Sequence, residues 1–101
     1  MTVGRFNELI HAPNRLQICA VLAGVEAAEF STLRELLDVS DSVLSKHIKV
    51  LQDAGYVTVR KPAQGPRTTW VELTPLGRDE LAAHLAELRR IADQASPVKP
   101  A

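Results

Sequence analysis

Residues 30–73 read FSTLRELLDVSDSVLSKHIKVLQDAGYVTVRKPAQGPRTTWVEL, and the order of patterns in this stretch decides the fold. Two helix-like segments are joined by Asp38-Val39-Ser40. Ala54-Gly55-Tyr56-Val57 then leads into two strand-like runs around the tip Pro62-Ala63-Gln64-Gly65-Pro66. The order is helix, turn, helix, hairpin. In such an arrangement the second helix is presented to a DNA major groove, and the hairpin reaches the neighbouring backbone or minor groove.

The second helix is framed by Ser40, a side chain suited to accept a backbone N–H at a helix start, with Asp41 against the positive end of the helix. At 100° per residue Leu44, Ile48, Leu51 and Ala54 share one face. Ser42, Lys46, Lys49 and Asp53 lie roughly opposite, with Ser45 at the edge. Serine can donate or accept at base edges, and lysine reaches guanine or a phosphate, so Ser42, Ser45, Lys46 and Lys49 are the candidate DNA-reading residues. An ordinary solvated helix face would have the same pattern. Gly55 suits the left-handed residue that ends a helix. Tyr56 to Lys61 and Thr68 to Leu73 alternate in the manner of half-buried strands, which makes 61–67 a wing flanked by Arg60, Lys61 and Arg67, three further candidate DNA contacts. Trp70 on the return strand reads as a packing residue rather than a base-stacking one.

Upstream, the spacing of Val3, Phe6, Leu9 and Ile10 predicts a short helix over 3–10. It is interrupted at His11-Ala12-Pro13 and followed by a helix from Pro13 to about Ala23, stopped by Gly24. Thr32-Leu33-Arg34-Glu35 matches a capping box and places the next helix start near Ser31 or Thr32, with Leu33, Leu36 and Leu37 inward. Downstream, Thr74-Pro75 opens a helix to about Ala95 in which Leu81, Leu85, Leu88 and Ala92 recur at 4-3-4 spacing with Ile91 beside them. That stripe exceeds what a small winged core covers. With Phe6, Leu9 and Ile10 it makes a candidate two-fold dimer seam of Phe6, Leu9, Ile10, Leu81, Leu85, Leu88 and Ile91; the alternative folds the stripe back on the first helix of its own chain. Residues 96–101, with two prolines, read as a disordered tail, which leaves 1–95 as one domain.

The 101 residues suit a single modest core, with 46% hydrophobic content. There is no apolar stretch long enough to span a bilayer, so the chain is expected to be soluble and cytoplasmic, with no membrane partner. Cys19, the only cysteine, excludes an intrachain disulfide and a paired-cysteine metal site; its apolar neighbours make it a buried thiol rather than a redox sensor. Net charge is zero, but residues 42–70 hold five basic side chains against Asp53 alone, while the rest of the chain is acidic by four. Local field, not net charge, governs attraction to phosphate.

Phe30-Ser31-Thr32-Leu33-Arg34-Glu35-Leu36-Leu37, Leu44-Ser45-Lys46-His47-Ile48-Lys49-Val50-Leu51, Ala54-Gly55-Tyr56-Val57 and Leu73-Thr74-Pro75-Leu76-Gly77-Arg78 together resemble the winged helix-turn-helix transcription regulators of the MarR-like and ArsR-like group, in their short single-domain form. The resemblance spans about Arg15 to Leu81. It implies a mainly α fold with a β-hairpin wing, dimerising through its terminal helices, with 41–54 as recognition helix, 61–67 as wing, and duplex DNA as partner. The lone Cys19 departs from the metal-sensing branch, and His47 is expected as a packed, hydrogen-bonded residue rather than a ligand.

No catalytic motif accompanies this pattern. Phosphate loops, nucleophile elbows and HExxH are absent, and His11, His47 and His84 fall on separate segments without paired carboxylates. No cofactor is implied, and no small-molecule effector can be read. The competing function is a winged module for protein–protein contact, which would show an exposed apolar patch where this chain has lysines and arginines.

Overall fold

The computed structural model describes residues 3–62, 65 and 68–95. In chain order these form α1 (Glu8–His11), α2 (Pro13–Ala23), β1 (Ala28–Glu29), α3 (Phe30–Leu37), α4 (Asp41–Asp53), β2 (Val57–Arg60), β3 (Trp70–Leu73) and α5 (Pro75–Gln94). The described strands make one antiparallel sheet in the order β1-β3-β2, with Val59 opposite Val71 and Arg60 opposite Trp70. This is a mainly helical fold with a small β-hairpin.

Local chemistry sets most of the boundaries. Pro13 fits the first turn of α2, where its missing N–H has no intrahelical partner to lose, and Gly24 closes that helix by donating to the carbonyls of Val21 and Leu22. Ser40 Oγ accepts the Val43 N–H at 3.2 Å at the start of α4, and Thr74 Oγ1 accepts the Gly77 N–H at 2.9 Å at the start of α5. Gly55, at φ +82°, makes the left-handed turn from α4 to β2. Ile18, Cys19 and Leu22 of α2, Leu33, Leu44, Ile48 and Leu51 of the helix-turn-helix, and Val57, Val71 and Leu73 of the sheet form a common core.

Several expectations from sequence need correction. The segment 3–10 is not one helix: only Glu8–His11 is helical, because Asn7 caps it by accepting the Ile10 N–H, while Arg5 donates its backbone N–H to Ala83 in α5. The capping box at Thr32 and Glu35 does not form. Residues Ala28–Glu29 pair with β3 instead, Phe30 N–H donates to the Thr69 carbonyl at 2.8 Å, and α3 begins at Phe30. Leu36 points outward, 63% exposed, since Leu33 and Leu37 already fill the inner side of this eight-residue helix. Of the candidate seam, Ile10 and Leu81 are fully packed in the chain's own core and offer no surface to a partner. The tip residues Ala63, Gln64, Pro66 and Arg67 and the tail 96–101 lie outside the described residues.

Candidate nucleic-acid interface

The turn between α3 and α4 is three residues long because Asp38 takes a left-handed conformation, φ 53°, in which it closes α3 by donating its N–H to Glu35. Across that turn Arg34 Nη1 donates to Asp41 Oδ1 at 2.8 Å, and the carboxylate beside it raises the guanidinium's pKa further. This bond ties the first turn of α4 to α3. Leu44, Ile48 and Leu51 anchor the inner face of α4, which leaves Ser42, Ser45, Lys46 and Lys49 exposed on the outer one. Lys49 Nζ lies 3.0 Å from Asp53 one turn on, an exposed pair of the kind that phosphate can displace, whereas Lys46 makes no ion pair among the described residues.

On the neighbouring side, β2 carries Arg60 to its end and Lys61 follows; both are exposed. Ser45 and Lys49 from α4 face Lys61 and Thr69 from the hairpin across an open cleft of about 320 Å³, floored by Phe30, Ile48 and Val59. The structure thus brings together six of the seven DNA-contact candidates on adjoining elements; Arg67 lies outside the described residues. Of these, Ser45, Lys49 and Lys61 line the cleft together, a hydroxyl and two cations that can bind polyanion oxygens and base edges.

His47 flanks the buried face of α4, within hydrogen-bond distance of Asn14 Nδ2 (3.4 Å) and Arg15 Nη1 (3.3 Å). Burial first, then Arg15 and Lys46, lower its pKa, so near neutral pH it packs as a neutral ring. Cys19 is fully buried and its thiol is pushed up to about 11 by desolvation, an unreactive state. Trp70 sits half-buried in the middle strand. Sequence reading missed the Arg34–Asp41 tie. It also missed Val43, 38% exposed near the start of α4, where an isopropyl group can meet a thymine methyl. Its position beside the Ser42–Lys46 face was the available signal.

The remaining seam candidates are graded in exposure. Leu9 and Leu85 are half-buried against the core, Leu88 is half-buried, and Phe6 and Ile91 are each 42% exposed. Phe6 rests on two imidazoles, with ring centroids 4.8 Å from both His11 and His84. Among the described residues no helix is long and apolar enough to cross a membrane.

Residues 14–92 match the family described as the winged helix DNA-binding domain. Among curated proteins, the chain is 31% identical over 88 residues to an uncharacterised protein of Methanocaldococcus jannaschii, covering 86% of this chain and 91% of the relative. Among solved structures, it is similar to a transcriptional regulator homologue from Pyrococcus horikoshii, with TM-score 0.86 and 30% identity over 90% of this chain and 91% of the other. It is also similar to a MarR-family transcriptional regulator from Silicibacter pomeroyi, with TM-score 0.69 and 26% identity over 91% of this chain and 62% of the other.

Proposed function

The chain belongs to the winged helix DNA-binding domain family and is a DNA-binding transcription regulator, and from that premise we propose that it acts as a cytoplasmic homodimer reading duplex DNA with α4. The family and fold are those of regulators rather than enzymes. In this reading Ser42, Ser45 and Lys46 meet base edges in the major groove, while Lys49, Arg60, Lys61 and Arg67 hold the backbone or enter the minor groove. The observation that carries it is the cleft lined by Ser45 and Lys49 of α4 and Lys61 of the hairpin, with Asp41, itself bonded to Arg34, at its side, so that helix and wing both offer a cation to the same opening.

The dimer is supported by the apolar edge of Phe6, Leu88 and Ile91, which the single chain leaves partly uncovered, with Leu9 and Leu85 at its margin. Two copies joined there would set two α4 helices about one DNA turn, near 34 Å, apart. No small-molecule effector is part of the proposal.

The test is duplex binding followed by fluorescence anisotropy across salt. Phosphate neutralisation by several lysines and arginines per protomer predicts a steep fall of log affinity with log salt, of slope about −0.9 per phosphate contact. Absence of duplex binding, or affinity indifferent to salt, would favour a protein-contact module instead.

A further inference from the structure

Among the described residues, the one fully buried polar side chain is His84 in the middle of α5, and its two ring nitrogens are both engaged. Nδ1 receives the backbone N–H of Asn7 at 3.0 Å. A backbone N–H can only donate, so Nδ1 carries no proton and the neutral ring holds its proton on Nε2. Nε2 lies 3.1 Å from Nδ1 of His11, which must then be the acceptor. The chain of donation runs from Asn7 N–H to His84, and from His84 Nε2–H to His11.

This relay has no place for an additional proton. A proton on His84 Nδ1 would face the Asn7 N–H, and one on His11 Nδ1 would face the His84 N–H, in each case setting two donors against each other. A proton on His84 also places a cation on a fully buried side chain beside a second imidazole. The surrounding charges offer no relief. From the amino-terminal segment Arg5 pairs with Glu80 of α5 through Oε1, and Asn7 Nδ2 takes Glu80 Oε2 at 3.1 Å as well as the Tyr56 hydroxyl at 3.0 Å. Glu87 of α5 is bound by Arg90 through both oxygens. Glu8 lies in the first turn of α1, and Arg15 of α2 donates to the Leu9 carbonyl at 2.6 Å. No carboxylate among these accepts a bond from either ring.

We propose that His84, bonded to Asn7 and to His11, forms an acid-sensitive latch, which holds the segment from Arg5 to His11 on α5 while its ring is neutral and releases it when that ring is protonated. Burial first, then the neighbouring His11, keep the His84 imidazole below its ordinary range. The sign follows from linkage. With the segment unfolded or released, His84 takes up a proton near the ordinary value of about 6.5 that the latched state refuses, so the stabilisation is present above that pH and is lost as the pH falls below it. What opens is the patch that Phe6 covers, with Arg5 withdrawn from Ala83 and Asn7 from Tyr56.

The test uses the full chain without DNA, so it stands apart from the DNA-binding reading. Imidazole nitrogen shifts and amide hydrogen exchange are followed by NMR in the wild type, His11→Gln and His84→Gln between about pH 7.5 and 5.5, a window that brackets the ordinary histidine value. At the upper end His84 should show a protonated Nε2 and a bare Nδ1. On acidification, protection of the Arg5 and Asn7 amides, corrected for intrinsic exchange and relative to Val71 in the sheet, should fall on the order of tenfold in the wild type. His11→Gln, at an exposed position where an amide oxygen can replace the acceptor, removes the neighbouring imidazole that helps hold the His84 pKa down and should therefore lose that protection at higher pH than the wild type. In His84→Gln it should not depend on pH. A proton found on Nδ1 of His84, a constant ratio of Asn7 to Val71 protection in the wild type, or superimposable profiles for wild type and His11→Gln would each overturn the latch. If His84→Gln does not fold, the other two samples still decide.

Discussion

Gly77 in the first turn of α5 lies against the carbonyl of Tyr56, so close that a β-carbon placed there would stand 2.2 Å from the carbonyl oxygen. The contact joins the end of the helix-turn-helix to the last helix, and two hydrogen bonds reinforce it: Thr74 N–H donates to Tyr56 O at 2.9 Å and Thr74 Oγ1 to Gly55 O at 2.7 Å. The position of β2, and hence of the wing, depends on it.

Gly77→Ala should therefore destabilise the chain by about 2 kcal/mol or more, because the clash is with backbone and not with a side chain that can turn away. Urea unfolding measures it. A midpoint equal to that of the wild type would mean that α5 tolerates displacement at this joint.

Arg78, one residue further on, caps α2 from a distance: Nη1 donates to the Ala23 carbonyl at 3.0 Å and Nη2 to that of Val25 at 3.3 Å. Arg78→Met keeps the aliphatic stem and removes both bonds. A loss of about 1 kcal/mol in the same assay is expected, since these carbonyls are near solvent and water replaces part of the interaction. Unchanged stability would show that the cap is dispensable.

Substitutions on the DNA face should separate reading from holding. Ser45→Ala or Lys46→Ala should lower affinity for a preferred duplex by about 1 to 3 kcal/mol more than for random duplex, whereas Lys61→Ala should weaken both alike and reduce the salt slope by about one unit per site. Competition titrations distinguish the two patterns. Equal losses for all variants would show that the outer face of α4 does not read bases.

For the seam, Leu88→Glu combined with Ile91→Glu should yield a folded monomer with greatly reduced DNA affinity, because the linked second half-site is lost. Leu81→Ala, at a residue 3% exposed within the core, should instead cost about 2 to 5 kcal/mol in folding. Sedimentation together with circular dichroism reads both. A double variant that remains dimeric would place the seam elsewhere.

What could be read from sequence followed the range of the determining interactions. The starts of α4 and α5 were legible because Ser40 and Thr74 bond to N–H groups three residues away. The outer face of α4 was legible because Leu44, Ile48 and Leu51 repeat with the helical period. The start of α3 was not, because Phe30 N–H is claimed by Thr69, far along the chain, and a two-residue strand at Ala28–Glu29 has no alternation to recognise. The Arg34–Asp41 tie depends on the positive φ of Asp38, which nothing adjacent to it dictates. His11 and His84, 73 positions apart, meet only once α1 has docked on α5. The burial of Ile10 and Leu81 in the chain's own core was not legible for the same reason: the periodicity that marks Leu81 as apolar does not say whether its own chain or a second copy covers it.

Selection from a random duplex pool tests the central claim most directly. If two α4 helices read DNA from a two-fold dimer, the enriched sequences should contain an inverted repeat with half-sites about 10 base pairs apart, and Ser45→Ala should alter the preferred bases within each half-site. No enrichment above a non-specific background, or a motif that Ser45→Ala and Lys46→Ala leave unchanged, would contradict the assignment of α4 as the reading element.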